Sequence, residues 1–111
     1  MSDKLAVILV SGDRKVLEMG LVYAKNVVAR GWMDEMKLFF FGPSEVIIAT
    51  DPDLRALVAE IIEGGTIPQA CSWCSDKYHV SEMLAELGCE ILGIGSPVSQ
   101  AIKDGFTPMT W

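Results

Sequence analysis

Long apolar runs are missing from this sequence of 111 residues. The longest covers only residues 5–10, whereas a membrane-spanning helix needs about 20 apolar residues. A basic segment and a small-residue cleavage site, which together mark a secretory signal, are also missing before this run. The sequence therefore predicts a cytoplasmic protein without a membrane span. The run itself is typical of a buried strand.

Basic residues are scarce as well. Nine Lys and Arg side chains stand against fifteen Asp and Glu side chains, which gives a formal net charge of −6. A surface with this charge repels phosphate backbones, so we expect no direct contact with nucleic acid. The three cysteines are an odd number, which argues against a disulfide-stapled secreted module.

What is present is a regular alternation of apolar runs and helical segments, without linker or repeat, which predicts one domain over residues 1–111. Strands are expected at 4–10, 36–41, 67–71, 89–94 and 106–111. Helices are expected at 13–30, at 44–49, from Pro52 to the Gly64-Gly65 stop signal, at 81–87 and over a short stretch ending at Lys103. Helical crossovers between strands predict a three-layer α/β/α sandwich with a mostly parallel five-stranded sheet.

The carboxyl ends of the strands are where such sheets bind ligands. In this sequence those ends carry turns that contain glycine, together with the segment that begins at Cys71. The candidate ligand-binding residues at this edge are Gly12, Asp13, Gly42, Gly95 and Ser96. Helix capping is the alternative role for Asp13. A tight turn is the alternative for 93–96, because this segment lacks the full phosphate-loop pattern.

Cys71 and Cys74 form a C-x-x-C, the one compact functional signal in the chain. Cys71 falls at the end of the expected third strand, and Cys74 falls in the loop or first helical turn that follows. A helix N-terminus favours a thiolate, and Lys77 and His79 add positive charge nearby. Either thiol could then act as a nucleophile at neutral pH. Simple burial is the alternative for the thiols, and an exposed loop position without a role is the alternative for His79.

Three chemistries compete for this pair: thioredoxin-like exchange, a structural zinc site, and carriage of sulfur on one thiolate as a persulfide. A zinc site needs four ligands, and only Cys89 and His79 remain as partners. Cys89 begins the expected fourth strand and therefore lies at the opposite edge of the sheet from Cys71. We therefore expect no metal and no cofactor, and we interpret Cys89 as packing.

The segment Ile67-Pro68-Gln69-Ala70-Cys71, followed by Val80 and the start of a helix, resembles the active-cysteine region of the DsrE/DsrF-like sulfur-relay family. This family includes the DsrEFH and TusBCD complexes and the YchN-like proteins. The resemblance extends over essentially the whole chain through its length and order of elements. It implies a parallel five-stranded α/β/α sandwich that assembles as a trimer or hexamer, and we expect this chain to form a homo-oligomer.

On this resemblance Cys71 accepts sulfane sulfur as a persulfide and relays it to a partner, a sulfurtransferase-type role. The chain departs from the family at two positions. His79 stands where relay members tend to have glycine, and Cys74 is an additional cysteine. Our hypothesis adds that Cys74 resolves the persulfide as a disulfide and that Lys77 and His79 stabilise the thiolate. Sulfur donor and acceptor proteins are the expected partners. The alternatives are a non-catalytic oligomeric module that binds a small ligand or peptide, and a dithiol redox switch.

Overall fold

The computed structural model describes residues 3–111, which form five strands and six helices. The strands are β1 (Lys4–Leu9), β2 (Glu35–Phe40), β3 (Gln69–Cys71), β4 (Glu90–Leu92) and β5 (Thr107–Thr110). The helices are α1 (Arg14–Arg30), α2 (Pro43–Thr50), α3 (Pro52–Glu63), α4 (Ser72–Lys77), α5 (Ser81–Leu87) and α6 (Gly95–Lys103). No helix formed by residues 3–111 is long and apolar enough to cross a membrane.

The strands form one sheet in the order β4-β3-β2-β1-β5, and every neighbouring pair is parallel. The predicted three-layer α/β sandwich is confirmed, and its sheet is parallel throughout. Phe40 pairs with Ala70, and Cys71 pairs with Leu92. These pairings place the carboxyl ends of β2, β3 and β4 side by side, where the chain turns into α2, α4 and α6.

Alternate residues of β1 separate the interior into two apolar clusters, as the period of a strand requires. Leu5, Val7 and Leu9 pack with α1, α2 and α3, and this larger cluster also contains Phe40. Ala6 and Ile8 face the opposite side, where the cluster is smaller and draws on Val98 and Ala101 of α6. The two faces of the sheet are therefore unequally covered. The three phenylalanines at 39–41 belong to these clusters.

Two aspartates cap the N-termini of helices. The Asp13 carboxylate accepts hydrogen bonds from the backbone N–H groups of Lys15 and Val16, at 2.8 and 3.3 Å. Asp51 caps α3 in the same way and also pairs with the guanidinium of Arg14. That ion pair holds the pKa of the Asp51 carboxyl below its usual range. Capping therefore accounts for the position of Asp13 without a ligand.

Two predicted boundaries around the cysteine segment differ from the structure. β3 begins at Gln69 rather than at residue 67, and Pro68 has no N–H to donate to a strand ladder. Residues 72–77, expected as a loop or a first turn, form the separate helix α4. Backbone hydrogen bonds from Tyr78 to Cys74 and from Val80 to Ser75 close its last turn.

Candidate functional site

The candidate site lies beyond the carboxyl ends of β2 and β3, where α2 and α4 begin. It consists of Glu45, Cys71 and Cys74. One carboxylate oxygen of Glu45 and the two Sγ atoms all lie within 4.8 Å of one another. Glu45 is buried, and both cysteines are partly buried. The C-x-x-C thiols are therefore brought together as the sequence predicts, and a carboxyl group joins them from a different element.

The start of α2 determines where Glu45 points. Gly42 adopts a positive φ of 53°, a conformation that favours glycine, and Pro43 occupies the first turn. The buried hydroxyl of Ser44 lies 2.7 Å from the carbonyl oxygens of Leu9 and Phe41, to which it can donate. These contacts attach α2 to the ends of β1 and β2. The next residue, Glu45, is thereby held over the end of β3.

The Glu45 carboxyl group has an unusual environment. The residue has no solvent exposure, and neither carboxylate oxygen has a hydrogen-bond partner of good geometry. Burial raises the pKa of Glu45 to about 8, and the negative charge of Asp76 adds to the rise. The nearby backbone N–H of Cys71 offsets part of the shift. At neutral pH the side chain is therefore mostly a neutral acid beside two thiols.

The junction between β3 and α4 positions the two cysteines. Cys71 is both the last residue of β3 and the N-cap of α4, and Cys74 lies one turn further along. The buried hydroxyl of Ser75 lies 2.7 Å from that of Ser81, which donates to Asp76 at 2.6 Å. This hydrogen-bonded chain attaches α4 to α5. It fixes the helical turn that carries Cys74.

The surroundings of Cys74 raise the pKa of its thiol, whereas activation would require a lowered pKa. Burial raises the pKa of the Cys74 thiol, and the adjacent Cys71 thiol and Glu45 carboxyl raise it further. The backbone N–H of Gly42 offsets part of this rise. This direction is opposite to the activation expected for Cys74 at neutral pH. Its surroundings favour a protonated thiol.

Lys77 and His79, the expected cationic partners of the thiolate, have other surroundings. The Lys77 Nζ atom lies over the ring of Trp73, 5.0 Å from its centroid. His79 is exposed and lines an open pocket of about 280 Å³ together with Asp76, Ser81 and Glu82. Its φ of 59° is the left-handed conformation, which agrees with the glycine expected at this position from the resemblance. Neither residue is among the groups that shift the pKa of Cys74.

The predicted ligand-binding turns lie at the expected edge, and backbone packing explains two of them. A Cβ on Gly12 would lie 3.3 Å from the Cβ of Pro43, so glycine lets these two turns approach each other. Gly42 is required by its positive φ. Gly95 and Ser96 are exposed and start α6.

Cys89 lies in the larger apolar cluster, just before β4, at the opposite edge from Cys71. Burial raises the pKa of its thiol to about 12. Its interpretation as packing is confirmed.

Glu45 is the residue that sequence reasoning missed. One signal in the sequence points to it: it is the one charged side chain in the apolar segment 43–49, directly after a strand. A solvent-exposed helix position explains such a residue equally well. Only the docking of α2 onto the sheet shows that this carboxyl group faces inward.

Solved structures provide the comparison with known proteins. A conserved protein of unknown function, BT1422 from Bacteroides thetaiotaomicron, is similar at 26% identity with a TM-score of 0.89, over 98% of this chain and 95% of that chain. The ychN protein from E. coli is similar at 14% identity with a TM-score of 0.82, over the full length of both chains. The chain has the DsrE/YchN-like fold.

A third protein with the DsrE/YchN-like fold, MTH1491 from Methanobacterium thermoautotrophicum, is similar at 14% identity with a TM-score of 0.76, over 97% of this chain and 98% of that chain. It is also described as a protein of unknown function. No family model and no curated protein matches the chain. The fold expected from the resemblance is therefore confirmed.

Proposed function

We propose that this protein is a sulfur carrier that holds sulfane sulfur as a persulfide on Cys71 and relays it to a partner protein. The observation that carries the proposal is the position of Cys71. It ends an inner strand at the ligand-binding edge, is partly exposed, and lies beside a second thiol.

Two further observations support transfer to a partner. Trp73, between the two cysteines, is 70% exposed and carries the Lys77 ammonium over its ring. An exposed aromatic side chain next to a reactive thiol is a suitable anchor for a docking protein. The net charge of −6 favours thiol-bearing proteins or small sulfur species over nucleic acids as partners.

The proposed chemistry balances without an external oxidant. The Cys71 thiolate attacks the outer sulfur of a donor persulfide, which gives the Cys71 persulfide and the donor thiolate. An acceptor thiolate then attacks the outer sulfur and regenerates Cys71. Where no acceptor is bound, Cys74 loses its thiol proton and attacks the inner sulfur, which releases hydrosulfide and leaves a Cys71–Cys74 disulfide. The raised pKa of Cys74 makes this side reaction slow.

Intact-mass spectrometry after incubation with a sulfane donor tests the proposal. The wild-type chain is expected to gain roughly 32 Da, one sulfur atom. Cys71→Ala is expected to lose this adduct, whereas the matched control Cys89→Ala keeps it. An adduct of equal yield on Cys71→Ala contradicts the assignment.

A dithiol redox switch is the second candidate, favoured by the proximity of the two thiols on a strand-to-helix junction. It predicts a reversible Cys71–Cys74 disulfide with a measurable potential in the absence of any sulfur donor. A redox titration followed by alkylation separates the two candidates. A stable disulfide together with no sulfur adduct favours the switch.

A non-catalytic binding module is a third candidate. It is tested by the alkylation rate of Cys71 at pH 6, in the Cys74→Ser variant. A rate no higher than that of a free cysteine favours the binding module, and a higher rate favours the carrier.

A further inference from the structure

The buried carboxyl group of Glu45 is the least explained polar group of the site. It is fully buried, neither oxygen has a hydrogen-bond partner of good geometry, and the charge of Asp76 that acts on it is negative. The nearby backbone N–H of Cys71 offsets this environment only in part. Polar groups in a protein interior are nearly always paired, because an unpaired one costs free energy. A proton neutralises such a group, and so does a bound cation.

Of these two, a bound cation is favoured by the two thiols beside Glu45, because they can serve as further metal ligands. Thiolate sulfur and carboxylate oxygen are ligands of zinc, and thiolates select soft or borderline ions over Mg²⁺ and Ca²⁺. Three protein ligands with a fourth open position are the arrangement of reactive zinc sites. We propose that Glu45, Cys71 and Cys74 form a binding site for a thiophilic divalent cation, for which Zn²⁺ is the best match.

The geometry of the group fits this ion. With zinc–sulfur bonds of about 2.3 Å, two thiolates on one tetrahedral ion lie about 3.8 Å apart. The three ligand atoms lie within 4.8 Å of one another, so about 1 Å of side-chain movement closes the site. Two of the ligands belong to one helical turn, and the third enters from α2, which is anchored by Ser44. The set therefore does not need Cys89 or His79.

Charge also favours a cation here. Two thiolates and one carboxylate carry three negative charges, of which Zn²⁺ compensates two. The protons of both thiols and of the Glu45 carboxyl group leave as the ion binds, because all three ligands must be deprotonated. A bound ion occupies the sulfur that would carry the persulfide. The inference thus uses the same thiols as the proposed function, but it does not depend on sulfur transfer.

Metal binding is measured on the reduced chain without any sulfur donor. Equilibrium dialysis against Zn²⁺ followed by elemental analysis is expected to show one ion per chain. Replacement of Zn²⁺ by Co²⁺ is expected to show a thiolate-to-cobalt charge-transfer band and the strong visible absorption of a tetrahedral ion.

The decisive variant is Glu45→Gln, which keeps both thiols and removes a buried ionisable group, so it is expected to fold. Its Zn²⁺ affinity is expected to fall at least about tenfold, since even outer-shell changes cost about 10- to 100-fold. Cys71→Ser and Cys74→Ser are expected to weaken binding similarly and to reduce the charge-transfer band. The exposed Glu86→Gln and the core Cys89→Ala are the matched controls, with affinity unchanged.

Two results overturn the metal site. One is Zn²⁺ binding by Glu45→Gln that equals binding by the wild type, and the other is wild-type binding no higher than that of a Cys71→Ser/Cys74→Ser double variant. Sulfur loading is measured separately on the same samples. Loading on Cys71 without metal binding contradicts only the metal site. Metal binding without loading contradicts only the carrier.

Discussion

Glu45 has a consequence for stability that can be measured in the metal-free protein. Its pKa in the folded chain is about 8, against an ordinary value of 4.5, so the folded state binds more protons than the unfolded state between these pH values. The free energy of unfolding should therefore fall as pH rises from about 4.5 to about 8, by at most ~1.4 kcal/mol per pH unit from this group.

Glu45→Gln should remove this slope and raise the stability at pH 8 relative to the wild type. Urea unfolding at pH 5 and pH 8 in the presence of a chelator measures the difference. Glu86→Gln, an exposed change of the same type, should leave the slope as it is. An identical pH dependence of wild type and Glu45→Gln would show that Glu45 is not held as a neutral acid.

Two of the three cysteines, Cys74 and Cys89, should react slowly with an alkylating reagent. Burial and its neighbours raise the pKa of Cys74, and burial raises that of Cys89 to about 12. Because the thiolate is the reactive form, Cys74 should react more slowly at pH 7 than free glutathione, and Cys89 only after unfolding. Peptide-resolved mass spectrometry follows each thiol. Rapid labelling of Cys74 would show that its thiol is not suppressed by its surroundings.

Residue identities predict the site only in part. The C-x-x-C signal at a strand end predicts that Cys71 and Cys74 lie together, because two residues of spacing place both on one helical turn. The role of Glu45 could not be predicted, since a charged residue in a short helix is usually exposed. Its burial depends on how α2 packs against β1 and β2. Long-range packing of this kind leaves no periodic signal in the sequence.

At the scale of elements, the attachment of α2 can be tested at Ser44. Its buried hydroxyl contacts two carbonyl oxygens at the ends of β1 and β2. Ser44→Ala should lower the free energy of unfolding by about 1 kcal/mol, the usual contribution of a hydrogen bond. Chemical denaturation measures this.

Thr50→Ala is the matched control in the same helix, because its hydroxyl also donates to a backbone carbonyl but is exposed. It should change the stability by less than about 0.5 kcal/mol. Equal effects of the two variants would mean that Ser44 does not anchor α2.

The long elements were predictable, and the short ones around the site were not. α1 and α3 have clear apolar faces and cap residues, so both their existence and their ends follow from the sequence. α4 has six residues and too little periodicity for a prediction. β3 has only three residues, and Pro68 has no N–H group with which to extend its hydrogen bonds toward the N-terminus. The site is therefore located at the part of the chain where local patterns are least informative.

At the scale of the whole molecule, the layered architecture followed from the alternation of strands and helices, but the covering of the sheet did not. Crossovers between parallel strands predict an α/β/α sandwich. The sequence does not indicate that α1, α2 and α3 cover the face with the larger core, whereas α6 covers the other face. Several apolar side chains are half exposed or more, among them Met19, Ile67 and Ile102.

These exposed side chains lead us to propose that the chain is a homo-oligomer, and its resemblance to the DsrE/DsrF-like family implies a trimer or a hexamer. Exposed apolar side chains are typical of surfaces that another subunit covers. Light scattering coupled to gel filtration should give three or six times the mass of one chain. A mass of one chain at micromolar concentration would contradict the proposal, and the exposed residues would then need another partner.

The central claim is that Cys71 carries sulfane sulfur. Its most direct test is peptide-resolved mass spectrometry of the reduced wild-type chain after sulfane loading and alkylation. We predict that the sulfur adduct, roughly 32 Da, is found on Cys71 and that Cys89 carries none. A chain that gains no sulfur, or that gains it equally in the Cys71→Ala variant, would contradict the account.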